Sequence, residues 1–126
     1  ANRDPIPSRG LGDVYQRQER ANELGDLFAK RLGSLQKAYP ELISDVRYKG
    51  AMIALELMWA GDPKRTNTEL TQQLIANAAK NGLILLSCGL HANVIRFLPA
   101  LTMSSETAHE GLDRFATLFS DLVNNM

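Results

Sequence analysis

The sequence predicts an α+β domain, in which helices cover a small, mostly antiparallel sheet of three to four strands in the order α-β-α-β-β-α. Two observations predict this class. Apolar residues recur at helical spacing in three segments, and short apolar runs bounded by glycine or proline lie between those segments. The length of 126 residues suits one domain with a core of its own.

The first predicted helix runs from Asp13, a plausible N-cap, to about Ala38, because Pro40 pushes the residue before it out of helical dihedrals. Residues 1–12 contain two prolines and two glycines, which predicts a linker or truncated edge before a domain at 13–126. The helix carries one apolar stripe, formed by Val14, Ala21, Leu24, Phe28, Leu32 and Leu35.

The middle of the chain predicts a strand, a loop and a second helix. Residues 45–57 predict one strand, interrupted near Gly50 by a bulge or a close backbone approach. Residues 60–66 predict a surface loop, and Thr66 with Glu69 forms a capping box at the start of the helix. Its apolar side consists of Leu70, Leu74, Ile75 and Ala78, and Asn81-Gly82 closes it as an αL cap.

The last third predicts two strands and a helix. Residues 83–88 predict a buried strand, 89–93 a turn and 94–98 a further strand that Pro99 stops. Ser104 or Ser105 caps the last helix, whose apolar residues recur at spacings of three and four, namely Ala108, Leu112, Phe115, Phe119 and Leu122.

Composition excludes several classes of function. Fourteen basic residues balance fourteen acidic ones, which excludes a nucleic-acid binder with a basic surface stripe. The longest apolar runs, 51–55 and 83–86, are far shorter than the ~20 residues of a membrane span. The single Cys88 excludes an internal disulfide and favours a reducing compartment, and the polar first ten residues do not resemble a secretory signal. We therefore expect a cytoplasmic domain.

The sequence contains few candidate catalytic sets. Cys88, His91 and Asn93 superficially resemble a thiol-nucleophile set, although such sets assemble from distant segments, and the alternative is that Cys88 is a small buried apolar residue. His91 and His109 have no further ligand at metal-binding spacing, so we expect no metal site. The lysines lack the apolar surroundings of a Schiff-base amine; they are Lys30, Lys37, Lys49, Lys64 and Lys80.

Arg96 is the residue that stands out, because it lies inside an otherwise apolar strand. A guanidinium stays charged in a protein and needs a compensating anion when it is buried, and its fork of donors matches a carboxylate. Two alternatives remain open: an edge strand with Arg96 in water, or a pair with a carboxylate such as Glu56. Arg47, beside Tyr48 and Lys49, is interpreted as solvent-facing or structural.

Four segments together resemble a known family. They are VRYKGAMIALEL at 46–57, NGLILLSCG at 81–89, NVIRFLPAL at 93–101 and the helical ERANELG at 19–25. In this order and spacing they are similar to the C-terminal part of the class III pyridoxal-phosphate aminotransferases, over about residues 19–123. The Leu-Leu-Ser-Cys-Gly segment is similar to the 4-aminobutyrate aminotransferase branch.

The resemblance implies the C-terminal small domain of a longer, homodimeric enzyme that transfers an amino group to a 2-oxo acid. In that family the large domain holds pyridoxal phosphate and its lysine, so we expect no cofactor on this chain alone and no activity without the large domain. The family's arginine in the third motif binds the carboxylate of the amino-acid or 2-oxo-acid substrate, and it matches Arg96.

The chain also departs from the family pattern. Tyr48 occupies a position in the Arg-Gly-x-Gly segment where the family has glycine, and the turn Leu90-His91-Ala92 differs from that of the 4-aminobutyrate branch. A different class of function stays open beside the family assignment. It is a stand-alone α+β module that captures a small carboxylate through Arg96, or serves in regulation or dimerisation.

Overall fold

The computed structural model describes residues 6–80, 86–88 and 93–125, with side chains for 14–78 and 93–125. Within this part of the chain the elements follow the order α-β-β-β-α-β-β-α. They are α1 (Ile6–Ala38), β1 (Ile43–Lys49), β2 (Met52–Trp59), β3 (Asp62–Thr66), α2 (Thr68–Lys80), β4 (Leu86–Cys88), β5 (Val94–Phe97) and α3 (Ser105–Asn124).

The strands form one sheet in the order β1-β2-β5-β4, and β3 pairs with the end of β2. Every pairing between the described strands is antiparallel. Strand β5 lies between β2 and β4, so its backbone bonds to a neighbour on each side. The predicted α+β class, with helices on a mostly antiparallel sheet, is confirmed.

All three described helices pack on one face of the sheet, which we call the covered face. Its strand residues alternate along β1, β2 and β5, as the period of two requires, and they are Val46, Tyr48, Ile53, Leu55, Leu57, Ile95 and Phe97. Except for Tyr48 at the rim, these residues belong to or pack against the core cluster. The helices contribute Leu24, Phe28, Leu32, Leu70, Leu74, Ala78, Ala108, Leu112, Phe115 and Phe119.

A chain of aromatic contacts fixes β5 against the helices. The ring of Phe97 in β5 lies edge-on to Phe28 of α1 and to Phe115 of α3, with centroid distances of 6.0 and 5.1 Å. Phe115 in turn contacts Phe119 at 6.3 Å. Edge-to-face pairs at such distances are favourable beyond the area they bury. The strand that carries Arg96 is therefore held rigidly by its neighbour Phe97.

The predicted single strand at 45–57 is wrong in one respect, because the structure forms a hairpin there. Strands β1 and β2 are joined by a two-residue turn at Gly50, which has a left-handed φ of 56° that favours glycine. The predicted close backbone approach is found at the same residue. A Cβ on Gly25 of α1 would lie only 1.9 Å from the Gly50 carbonyl oxygen, so the helix and the turn touch through glycine.

The predicted surface loop at 60–66 is also corrected, since part of it is a strand. Ala60 and Gly61 both have positive φ, which suits a two-residue hairpin turn and allows β3 to pair with β2. The exposed, polar sequence of β3 lacks the alternation by which strands are recognised. The hairpin and β3 together account for the difference between the observed order of elements and the predicted one.

Helix ends are the third correction. The structure begins α1 at Ile6 rather than at Asp13, and proline at position 7 is compatible with this start because the first turn of a helix needs no intrahelical N–H bond. Helix α2 is capped by Asn67, whose Oδ1 accepts the Leu70 N–H at 3.1 Å, and not by Thr66. The domain boundary after residue 12 stays a prediction.

Other predicted ends are confirmed or lie outside the described residues. Ser104 caps α3 by accepting the Thr107 N–H at 3.1 Å, as predicted. The predicted αL cap at 81–82, the start of the strand at 83–85 and the turn at 89–92 lie outside the described residues. Among the helices that the structure describes, none is both long and apolar enough to span a bilayer.

Candidate functional site

The second face of the sheet carries charge and is called here the open face. Its residues lie opposite the helices by the alternation of the strands, and they are Asp45, Arg47, Lys49, Met52, Ala54, Glu56, Val94 and Arg96. The core cluster includes none of these residues. Arg47, Ala54 and Arg96 are directly paired across three neighbouring strands, so two guanidinium groups share one row.

Arg96 occupies an interior position of the sheet. It pairs with Ala54 of β2 on one side and with Leu86 of β4 on the other, so the alternative of an edge strand is wrong. Its side chain is half-buried, and its Nε is fully buried without a hydrogen-bond acceptor among the described residues. A buried donor without a partner carries a desolvation cost, which an incoming anion would remove.

Glu56, the carboxylate considered as a partner for Arg96, is engaged elsewhere. The Ser44 hydroxyl donates to its Oε2 at 2.9 Å, and Arg47 Nη1 lies 3.8 Å from its Oε1. None of the ion pairs between described residues involves Arg96. The alternative in which Glu56 neutralises Arg96 is therefore wrong for this structure.

Ser44 lies on this face at a β-bulge of β1. The register between β1 and β2 shifts between Ile43 and Asp45, so that Ser44 and Asp45 both lie opposite Glu56. Ile43 faces the core, so Ser44 beside it faces the opposite side, and the extra residue keeps Asp45 on that side as well. Ser44 Oγ consequently reaches both the backbone oxygen of Glu56 at 3.2 Å and its carboxylate.

Arg47 is more than a solvent-facing residue, because it joins two carboxylates of the open face. Its Nη1 lies 2.8 Å from Asp45 Oδ2 and 3.8 Å from Glu56 Oε1. Its side chain is also exposed, so the interpretation of Arg47 as solvent-facing or structural holds in both respects. Sequence reasoning missed Ser44 and the engagement of Glu56, since neither the bulge nor the hairpin register has a signature in the sequence.

Tyr48 fits its position without strain. It lies in regular β1 pairing with Ile53, and it is not among the described residues with positive φ. Its hydroxyl donates to Asp26 Oδ1 of α1 at 2.9 Å. This hydrogen bond, then the negative charge of Asp26 and partial burial, raise the pKa of Tyr48 above its ordinary value of 10.0. The departure from the family glycine therefore adds a contact between β1 and α1.

Of the thiol-nucleophile set, the structure describes the side chain of Asn93. Asn93 is buried, and its Nδ2 donates to the Leu57 carbonyl at 3.2 Å, so its amide supports the backbone of β2. Cys88 pairs with Val94 at the backbone, and His91 lies outside the described residues. His109 is exposed and lies 2.8 Å from Arg31 Nη1. Across the described residues no group of three His, Cys, Asp or Glu side chains could hold a metal ion.

The described residues do not fit pyridoxal phosphate by themselves. Schiff-base lysines depend on a desolvated amine, and the four described lysine side chains, Lys30, Lys37, Lys49 and Lys64, are all exposed. The fifth, Lys80, has no described side chain. We accordingly derive no chemical step through the cofactor from this chain.

A cavity of about 490 Å³ lies on the covered side and does not include Arg96. It is formed by α1, α3 and the segment after β5, with Phe28, Leu98 and Met103 among its lining residues. Because no charged group of the open face borders this cavity, it is separate from the candidate site.

Comparisons with known proteins identify the family. The chain matches the family described as Aminotransferase class-III over residues 15–119. It is 40% identical over 103 residues to the 4-aminobutyrate aminotransferase GabT of Escherichia coli (strain K12), covering 82% of this chain and 24% of that protein. It is also 35% identical to a leucine/methionine racemase of Thermococcus litoralis, covering 94% of this chain and 28% of that protein.

Solved structures agree on the fold. A transaminase from the marine bacterium Virgibacillus superposes with a TM-score of 0.78 at 19% identity, covering 92% of this chain and 27% of that one. The chain belongs to the class III aminotransferase family, whose members in general depend on pyridoxal phosphate. It spans about a quarter of the length of the curated relatives it matches.

Proposed function

We propose that this chain is the small domain of a pyridoxal-phosphate-dependent aminotransferase similar to the 4-aminobutyrate aminotransferases, and that Arg96 receives the substrate carboxylate. The rest of the polypeptide holds the cofactor and its lysine in the proposal, and the whole enzyme is a cytoplasmic homodimer. The small domain alone has no activity. The similarity to 4-aminobutyrate aminotransferases supports the substrate class, and the exposed lysines support a cofactor site outside this chain.

The single observation that carries the role of Arg96 is its buried Nε, which has no acceptor within the part of the chain that the structure describes. A substrate carboxylate would satisfy that donor and accept two parallel hydrogen bonds from the planar guanidinium. The strand is held on its other face by the contacts of Phe97, so the guanidinium is presented from a rigid element. Precise placement of a substrate is worth large factors in rate.

The test is made in the full-length enzyme with Arg96→Gln and Arg96→Lys. We expect Arg96→Gln to lower kcat/KM for 2-oxoglutarate about a hundredfold, because one partner of a desolvated charge pair is lost. Arg96→Lys keeps the charge without the fork of donors and restores part of the loss. An amine donor without a carboxylate should lose far less than 2-oxoglutarate in Arg96→Gln.

Arg114→Gln serves as the matched control. Arg114 on α3 is as exposed as Arg47 and forms a similar 2.8 Å ion pair with Glu110, away from the open face. If Arg96→Gln lowers kcat/KM equally for 2-oxoglutarate and for the amine without a carboxylate, or resembles Arg114→Gln, Arg96 does not bind the carboxylate. Calorimetry of the 126-residue chain with 2-oxoglutarate distinguishes the proposed enzyme domain from a stand-alone carboxylate-binding module. Tight binding by the chain alone would favour the stand-alone module.

A further inference from the structure

Glu56 lies midway between two arginines of the open face. On β2 it pairs with Asp45 of β1 on one side and with Val94 of β5 on the other. Arg47 and Arg96 each lie two residues further along their strands, diagonal to Glu56. Diagonal neighbours on one face of a sheet are about 7–8 Å apart, within reach of long side chains. Glu56 can therefore pair with either guanidinium.

The Glu56 carboxylate lies on the side of β1, toward Ser44 and Arg47. Ser44 donates to Oε2 at 2.9 Å and Arg47 approaches Oε1 at 3.8 Å, whereas no ion pair between described residues joins Glu56 to Arg96. The bulge leaves both Ser44 and Asp45 opposite Glu56, so the carboxylate has the Ser44 hydroxyl as a neighbour on β1 in addition to Asp45. Two separate groups thus draw the carboxylate toward β1.

A pair between Glu56 and Arg96 would compete directly with substrate. A carboxylate on the neighbouring strand acts as a tethered ligand, and tethered groups have effective concentrations of about a millimolar or more. It would also satisfy the buried Nε, for which residues 14–78 and 93–125 offer no acceptor. The apparent KM for a carboxylate substrate would be divided by the fraction of time that Arg96 is free of the internal pair, and would rise accordingly.

We infer that Ser44 and Arg47 are positioning residues that hold Glu56 away from Arg96, which keeps the guanidinium free for a substrate carboxylate. The inference rests on the proposed function of Arg96. It assigns Glu56 the role of a latent internal competitor. It also accounts for the contacts that Ser44 and Arg47 make with a carboxylate beside the candidate site.

The experiment uses the full-length enzyme with Arg47→Gln, Ser44→Ala and each of these combined with Glu56→Gln. We expect Arg47→Gln to raise KM for 2-oxoglutarate about three- to tenfold with kcat unchanged, and Ser44→Ala to do so less. The added Glu56→Gln should restore KM in both, because a neutral amide does not compete for the guanidinium. Arg114→Gln is the control with matched exposure, and its KM should stay unchanged.

Two outcomes overturn the inference. One is a raised KM in Arg47→Gln that Glu56→Gln does not restore, because Arg47 would then act by itself. The other is an unchanged KM in both Arg47→Gln and Ser44→Ala. A crystal structure of the Arg47→Gln variant shows the position of the Glu56 carboxylate directly. We expect it within hydrogen-bond distance of Arg96. If Glu56 moves to Arg96 in that structure but Arg96→Gln leaves KM for 2-oxoglutarate unchanged, the proposed function of Arg96 is wrong. The positioning of Glu56 by Arg47 would still hold.

Discussion

The two faces of the sheet differ in burial and in charge. On the covered face, Ile53, Leu55 and Leu57 are fully buried among helices, and their contribution is packing. On the open face, the intervening residues include Glu56, and the neighbouring strands add Arg47 and Arg96. One strand therefore serves stability with every second residue and presents charge with the others. The comparison teaches that the same alternation encodes the core and the candidate site.

The largest expected effect is a difference in the free energy of unfolding between variants of two adjacent residues on opposite faces. Ile53→Ala should lower the free energy of unfolding by about 2–5 kcal/mol, because it leaves a cavity in the core. Met52→Ala, on the open face and 44% exposed, should change it by less than about 0.5 kcal/mol. Urea denaturation of the 126-residue chain measures both. Equal losses in the two variants would mean that the open face is packed as well.

A second prediction concerns the contact between α1 and the hairpin turn. Gly25→Ala should cost about 1–3 kcal/mol, since the new Cβ would lie 1.9 Å from the backbone oxygen of Gly50 and the helix must move. Gly33→Ala is the matched control in the same helix, where a Cβ meets nothing within 4 Å. That control should gain about 0.5–1 kcal/mol from helix propensity. Thermal or urea denaturation that ranks the two in reverse contradicts the close approach.

The covered face could be predicted from the sequence because burial has a period. Leu24, Phe28 and Leu32 recur at helical spacing, and each is buried in the structure. Val14 fits the same stripe but is exposed, like the neighbouring Tyr15. Periodicity gives the face of a helix but not the length over which a partner covers it.

The open face could be predicted only in part. Arg96 was identified because a charge in an apolar strand is conspicuous, and its interior position requires the pairing of β5 with two neighbours. The contact of Ser44 with Glu56 depends on a bulge and on hairpin register. Register is a long-range property, which local patterns do not contain. The role of the open face in catalysis stays a prediction.

The third prediction compares a buried helix cap with an exposed one. Asn67 is fully buried, accepts the Leu70 N–H and donates to the Met58 carbonyl at 3.3 Å. Asn67→Ala should therefore cost near the upper end of the range of about 0.5–2 kcal/mol for lost caps, and Ser104→Ala near the lower end. Urea denaturation of both variants checks the order. A larger loss for Ser104→Ala would show that burial does not strengthen the cap.

The smallest effect is the pH dependence of the contact between Tyr48 and Asp26 at the rim of the covered face. Because the folded pKa of Tyr48 is raised, its contribution to stability is present below pH 10, the ordinary tyrosine value, and is lost as pH rises through the folded pKa. Tyr48→Phe should therefore be slightly less stable than the parent chain at pH 7, and the gap should close above pH 10. Urea denaturation at both pH values measures this gap, with Tyr15→Phe, an exposed tyrosine of α1, as control. A gap that stays constant across this range would mean that the hydroxyl of Tyr48 does not stabilise the fold by donating to Asp26, because an ionised hydroxyl can no longer donate to a carboxylate.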